Sequence, residues 1–294
     1  MSSDAASPAG ASAVPLPYAA PDLRTDPPAE ALDHYRLGVQ LLAAVLFALS
    51  VLTLGAAGVA RTATALWSTG ASQVVVWPVL AFAVFGAGLF ALLPTQRSAR
   101  RQQAAGPLLA CTAALFGCSQ VLAAAFLPWT AVVAAVAATG AAALGLRELN
   151  RHTAGNLTER LGTDVPLGLL TGYGLVFTTE LFFSATQWNE QAWAGLVAVL
   201  VLAVLGAGAA HGERGRHSVA MGFLAGMLPV ALGQWRDPGL SWWLPVSTAL
   251  GAVIVLIAAE TRRHQVTHAE HRAARHHASH PADPGSTSPE ASSG

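Results

Sequence analysis

Residues 37–60 read LGVQLLAAVLFALSVLTLGAAGVA, with no ionisable side chain among them. Coiled as a helix rising ~1.5 Å per residue, the stretch is about 36 Å long and crosses a ~30 Å hydrocarbon layer. Seven further stretches of the same kind follow, near 74–93, 107–127, 129–147, 166–186, 192–210, 217–235 and 240–260. The sequence therefore predicts an all-α, polytopic membrane helix bundle of about eight transmembrane helices. Pro128 separates the third stretch from the fourth, because proline favours a turn there. Trp129, Trp188, Trp193, Trp235, Trp242 and Trp243 fall at span ends, where amphipathic rings sit at headgroup level.

Composition agrees. Hydrophobic residues make up 53% of the chain and charged ones 11%, against roughly 25% charged in a soluble domain. The formal net charge is +0, and no basic face is available to neutralise phosphates, which argues against a nucleic-acid partner. Residues 1–35 are rich in Pro, Ala, Ser and Asp without apolar periodicity, and 279–294 are rich in Ser, Pro and Gly. Both are expected to be disordered. The division that follows is a tail over 1–35, a transmembrane domain over 36–260, and a His- and Arg-rich, then disordered, tail over 261–294. Cys111 and Cys118 lie seven residues apart on one helix, about 10.5 Å along its axis, too far for a disulfide. They are expected to behave as small apolar packing residues, or at most as separate thiols.

Arginine supplies every basic side chain other than histidine, and its distribution sets the expected orientation. Arg24 and Arg36 precede the first span. Arg97, Arg100 and Arg101 follow the second, and Arg147, Arg151 and Arg160 the fourth. Arg214 and Arg216 follow the sixth, and Arg262, Arg263, Arg272 and Arg275 the eighth. The alternate connections hold Arg61 and Arg236. By the positive-inside rule both termini belong in the cytoplasm, with the chain in the cell membrane.

The second half echoes the first. Val84-Phe-Gly-Ala-Gly88 resembles Val204-Leu-Gly-Ala-Gly208, and Glu148-Leu-Asn-Arg151-His152 resembles Glu260-Thr-Arg-Arg263-His264. A parallel 4+4 repeat with halves 36–152 and 164–264 is one reading, with a site at the interface of the halves. Compositional likeness between Ala-Gly-rich helices is the other. Gly86, Gly88, Gly206, Gly208, Gly222 and Gly226 are expected to let backbones approach closely.

The fifth span carries the polar residues of most interest. Tyr173, Glu180, Ser184 and Gln187 fall at i, i+7, i+11 and i+14, within about 40° of one stripe at 100° per residue. A carboxyl deep in a bilayer costs roughly 2.5–3.5 kcal/mol on insertion scales, so it should face protein or water. Burial also favours the protonated form of a carboxyl, which lets such a group exchange protons near neutral pH. The structural alternative places Glu180 close enough to the outer interface to reach headgroup water. Gln40, Ser119 and Gln120 are expected to form interhelical hydrogen bonds. His264, His268 and His271 lie at i, i+4 and i+7, with His276, His277 and His280 beyond them. Such imidazoles can hold Zn²⁺, Ni²⁺ or Cu²⁺, but Arg272 and Arg275 oppose a cation. A solvated basic tail near anionic headgroups is the favoured reading, with no metal.

The sequence holds no Walker loop, HExxH helix or GxSxG elbow, so neither an enzyme nor a bound cofactor is expected. Pro166-Leu167-Gly168-Leu169, followed by Gly172-Tyr173-Gly174 and Thr178-Thr179, resembles the opening helix of the acetate/succinate uptake transporter family. That family's signature reads Asn-Pro-x-Pro-Leu-Gly-Leu, with a Gly-aromatic-Gly and a Thr pair downstream. Thr163 and Asp164 stand where the Asn-Pro pair would be, and the family has six spans. The resemblance implies permeation of small carboxylates. Two functions stay open: a secondary or passive small-solute permease with Glu180 on its path, and a non-transporting membrane subunit. The subunit would dock a protein partner, or a second copy of itself, through cytoplasmic loops and tail.

Overall fold

The computed structural model describes residues 26–62, 67, 73–152, 154, 156–188, 191–214, 217–236 and 242–279. Eight long helices account for most of them: α1 Ala31–Thr62, α2 Gln73–Ala91, α3 Arg100–Ala124, α4 Pro128–Arg151, α5 Val165–Thr186, α6 Ala192–Gly212, α7 Ser218–Arg236 and α8 Trp243–Ser279. Each contains a window long and apolar enough to cross a membrane. The chain is a multi-pass membrane protein built as an all-α bundle.

Several boundaries differ from those expected. Helix α1 begins at Ala31 rather than near 37, because Asp33 is buried and held. Asp33 accepts hydrogen bonds from Glu30 N–H at 3.1 Å and from Gln103 Nε2 at 3.2 Å. Helix α8 continues unbroken to Ser279; a helix has no reason to stop at the membrane surface when Ala, Glu, His and Arg follow. Helix α5 is preceded by a short turn, Leu157–Glu159, and a π-helical turn, Arg160–Asp164. Residues 1–25 and 280–294 lie outside the described residues.

Each helix packs mainly on one or two neighbours, in the order α2, α1, α3, α4, α5, α7, α8, α6. The succession α1–α3–α4 is repeated by α5–α7–α8. Helix α2 lies on α1, whereas α6 lies chiefly on α8 rather than on α5, so the correspondence between halves covers three of four helices. The paired signatures nonetheless do parallel work. Asn150 of the first donates to the carbonyl of Gly212 at 2.7 Å, and Arg262 of the second donates to the carbonyl of Glu213 at 3.3 Å. Two consecutive carbonyls at the end of α6, which lack partners within their own helix, are thereby satisfied from α4 and α8. Glu148 pairs with Arg151 at 2.8 Å, and Glu260 lies 3.8 Å from Arg263.

The tightest contact is between α5 and α7. A Cβ at Gly172 would strike the carbonyl oxygen of Val219 and stand 2.6 Å from the nitrogen of Phe223. One at Gly222 would strike the carbonyl oxygen of Leu169 and stand 2.8 Å from its Cα. A Cβ at Gly226 would crowd the Val176 side chain, 2.7 Å from its Cβ. Gly206 lies between Val255 and Phe223, joining α6 to α8 and α7. Gly88 makes ordinary contacts with Leu41 and Ala44, while Gly86 and Gly208 face open space. Cys111 and Cys118 are free and exposed on the outer face of α3, not packed inside as expected.

These positions predict opposite signs for one substitution. Gly172→Ala or Gly222→Ala should lower the thermal stability of the purified protein by roughly 1–3 kcal/mol, the usual cost of overpacking. Gly86→Ala and Gly208→Ala should leave it unchanged or raise it by up to ~1 kcal/mol through helix propensity. Thermal unfolding in one detergent measures all four.

Candidate functional site

Helix α5 is the middle of the bundle, touching α4 and α7 broadly and α2, α3 and α6 more lightly. Its composition permits this. Gly168, Gly172 and Gly174 remove bulk on the faces turned to α7 and to Thr139 and Phe116. Thr171 and Thr179 return their hydroxyls to the carbonyls of Leu167 and Leu175, at 2.7 and 3.0 Å. A hydroxyl satisfied by its own helix can sit in apolar surroundings. Thr139 of α4 bonds Ala135 O at 2.9 Å and meets the Thr178 hydroxyl at 3.3 Å.

The four residues of the expected stripe separate into two pairs. Tyr173 and Glu180 are buried, 1% and 3% exposed. Ser184 and Gln187 are exposed, and Gln187 ends the helix in the left-handed conformation at φ 57°. The stripe therefore runs from the protein interior out to the end of α5. Two turns separate Tyr173 from Glu180, about 10.5 Å along the axis.

Aromatic rings close the interior on both sides of Glu180. On one side Trp77 of α2 presents its edge to Tyr173 and Phe177, with ring centroids 5.1 and 4.8 Å apart, and also contacts Phe47 and Phe116. Helices α1, α2, α3 and α5 meet at this one indole. On the other side Trp67 stacks on Phe183 at 5.5 Å. Glu180 follows Phe177 and precedes Phe183 by about one turn each, so along α5 it stands between the two aromatic groups. A carboxyl there satisfies the expectation that an intramembrane acid faces protein. At 3% exposure Glu180 is buried against protein.

A separate cavity of about 590 Å³ opens on the other flank of α5, between α4, α5 and α6. Its wall includes Thr171, Leu175, Thr178, Thr179 and Phe182, and none of Tyr173, Glu180, Ser184 and Gln187. Thr139, Thr171 and Thr179 on it bond carbonyls of their own helices and Thr178 meets Thr139, so the wall is largely apolar.

A charged centre that sequence reasoning passed over lies at the arginine-rich end. Arg101 is 6% exposed and Asp164 fully buried. The Arg101 guanidinium donates to Asp164 Oδ1, to the carbonyl of His152, and through Nε to Thr163 Oγ1 at 3.1 Å. It thus ties α3 to the end of α4 and to the π-helical turn before α5. In the sequence Arg101 stands among the loop arginines. The signal that distinguishes it is Asp164, an acid two residues before Pro166 at the mouth of a span. Nearby, Glu213 is 1% exposed and caps α7, accepting from the Ser218 hydroxyl and from Val219 N–H at 3.3 Å. His217 Nε2 and His264 Nε2 approach Glu260 at 2.8 and 3.2 Å.

Other polar residues behave differently from expectation. Ser119 bonds the carbonyl of Phe116 in its own helix at 2.8 Å. The amide of Gln40 and the Nε2 of Gln120 have no hydrogen-bond partner, so the expected interhelical bonds are not formed. His264, His268 and His271 are exposed on α8. His264 and His268 stack at 6.3 Å. No group of three potential ligands placed to hold a metal ion occurs among the described residues. The side chains of His276, His277 and His280 lie outside the described residues.

Compared with known proteins, the chain matches no family model, no curated protein and no solved structure.

The Arg101–Asp164 pair yields a prediction. Arg101→Ala leaves a fully buried carboxylate without this guanidinium and should destabilise the protein by about 3–5 kcal/mol. The double change Arg101→Met with Asp164→Leu should recover most of that loss. A double-mutant cycle read by thermal unfolding measures the coupling.

Proposed function

We propose that the protein is a secondary or passive small-solute permease, here in a closed state, with Glu180 as the protonatable group on its path. The observation that carries the reading is the burial of Glu180 inside the central helix, between the Trp77–Tyr173–Phe177 layer and the Trp67–Phe183 stack. An ionisable residue in a transmembrane core is costly, and such residues mark substrate, ion or proton pathways. The two aromatic layers serve as gates that part on either side of the carboxyl. Transport by this route uses a gradient, since the chain contains no nucleotide-binding loop. Small carboxylates are the proposed solutes, on the resemblance of Pro166–Leu169 and the following Gly-Tyr-Gly and Thr-Thr to the acetate/succinate uptake family.

The orientation belongs to the same proposal. Contacts of Arg36 with Arg97 O, Arg101 with His152 O, Asn150 with Gly212 O and Arg262 with Glu213 O bind one end of the bundle together. With that arginine-rich end on the cytoplasmic side of the cell membrane, both termini are cytoplasmic.

A second reading rests on α8. From Thr261 to Ser279 the helix continues roughly 28 Å past its apolar part at ~1.5 Å per residue, exposing His264, His268, His271 and Arg272. A rod of this kind suits a subunit that docks a protein partner.

Glu180→Gln should abolish the pH dependence of solute uptake in liposomes while the protein still expresses and folds. Uptake with an unaltered pH profile in that variant would remove Glu180 from the mechanism. For the second reading, a stoichiometric partner should co-purify and be lost on deleting 261–294; vigorous flux by the purified protein alone counts against it.

A further inference from the structure

We infer that the recess between α1 and α3 at the arginine-rich end binds a phospholipid with an amine-bearing headgroup, its phosphate held by Arg36. The recess encloses about 810 Å³, within the range of sites that hold drug-sized ligands. Its lining is graded. Glu30, Asp33, Arg36 and Gln103 lie at the end nearer the arginine-bearing loops, and Val39, Ala43, Ala110 and Ala114 run from there towards the membrane interior. A polar head joined to an apolar chain has this same gradation. Leu32, Tyr35 and Val39 are strongly exposed, so the recess opens sideways to lipid.

The polar end is incomplete as it stands. The Arg36 side chain is 10% exposed and lies 3.3 Å from Asp33 through Nη2, the same nitrogen that donates to the carbonyl of Arg97. Arg36 Nε and Nη1 are buried without any hydrogen-bond partner. One turn further in, Gln40 is 3% exposed, and neither atom of its amide has a partner. Four buried polar atoms on a single turn of α1 thus lack partners, beside the recess. Proteins rarely leave buried donors of this kind unmet, least of all on a guanidinium. Gly106 makes the room: a Cβ there would stand 2.8 Å from Gln40 Oε1 and 3.9 Å from Arg36 Cδ.

Charge selects the headgroup. The Asp33 carboxylate already balances Arg36, and Glu30, exposed at the mouth, adds a negative charge with its backbone N–H committed to Asp33. A purely anionic headgroup would meet this acid. A zwitterionic one places phosphate oxygens on Arg36 and an ammonium on Glu30. Recognition of headgroups by basic residues at span ends follows the same electrostatics. The site is independent of Glu180 and of transport.

Native mass spectrometry of the full-length protein tests this, using vesicles of phosphatidylethanolamine or phosphatidylglycerol as lipid donors. The expected result is one phospholipid retained per chain, phosphatidylethanolamine in preference. Arg36→Ala should weaken retention by about tenfold or more, as loss of a charge-assisted contact implies. Glu30→Gln should keep phospholipid binding and erase the preference. Ala114→Trp, which fills the apolar end without touching a charge, should also expel the lipid. Because Arg36→Ala also breaks the pair with Asp33, a second readout uses the unaltered protein. Added phosphatidylethanolamine should slow alkylation of Cys111, which lines the recess, and leave Cys118 unaffected. No retained lipid, equal retention by Arg36→Ala, equal response of the two cysteines, or displacement by inorganic phosphate alone would each overturn the assignment.

Discussion

A bilayer interior offers no hydrogen bonds, so every polar group carried into it must find its partner within the protein. That constraint orders this bundle. Threonines at 139, 171 and 179 bond the carbonyls of their own helices. The charged contacts cluster at one end, where Arg101 ties three segments together and Asn150 and Arg262 finish α6. Between helix midsections hydrogen bonds are few among the described residues, such as Thr139 with Thr178 and Thr248 to Gln234 Oε1 at 2.8 Å. The helices are therefore held largely by shape, and the closest fit is the glycine-to-backbone contact of α5 with α7.

Helix α5 joins these themes. Its glycines bring α7 against it, Gly174 admits Phe116 and Thr139, and its aromatic residues receive Trp77 from α2. Between those rings and the Trp67–Phe183 pair along α5 stands Glu180, 3% exposed. The proposed permease reading rests on that placement, because ionisable residues inside transmembrane segments mark substrate, ion or proton pathways. The cavity between α4, α5 and α6 has a different character, being lined mainly by apolar side chains, Phe183 among them.

The fold class was legible from hydropathy, because crossing a bilayer imposes a length and a composition that no other solvent asks for. The eight spans and the turn at Pro128 were read directly. What hydropathy could not show was which face of each helix meets which neighbour. Gly222 and Gly226 were identified as packing residues, but Gly86 and Gly208, alike in sequence to Gly88 and Gly206, face open space. Helical spacing placed Tyr173, Glu180, Ser184 and Gln187 on one stripe without revealing that the first two turn inward and the others lie exposed. Arg101 and Asp164 were missed because residues far apart in the chain carry no mutual signal in a single sequence. The likeness of Glu148–His152 to Glu260–His264 acquired meaning when both were seen to bind the end of α6.

The central claim is that α5 carries Glu180 into a buried core while its far end emerges on the side opposite the arginines. Single cysteines at 173, 180, 184 and 187, in a background lacking Cys111 and Cys118, test it directly when treated in intact cells with a membrane-impermeant maleimide. The account predicts that position 187 reacts from outside the cell and that positions 173 and 180 stay unmodified. Ready labelling at 180, or protection at 187 with labelling only after the cells are opened, would contradict it.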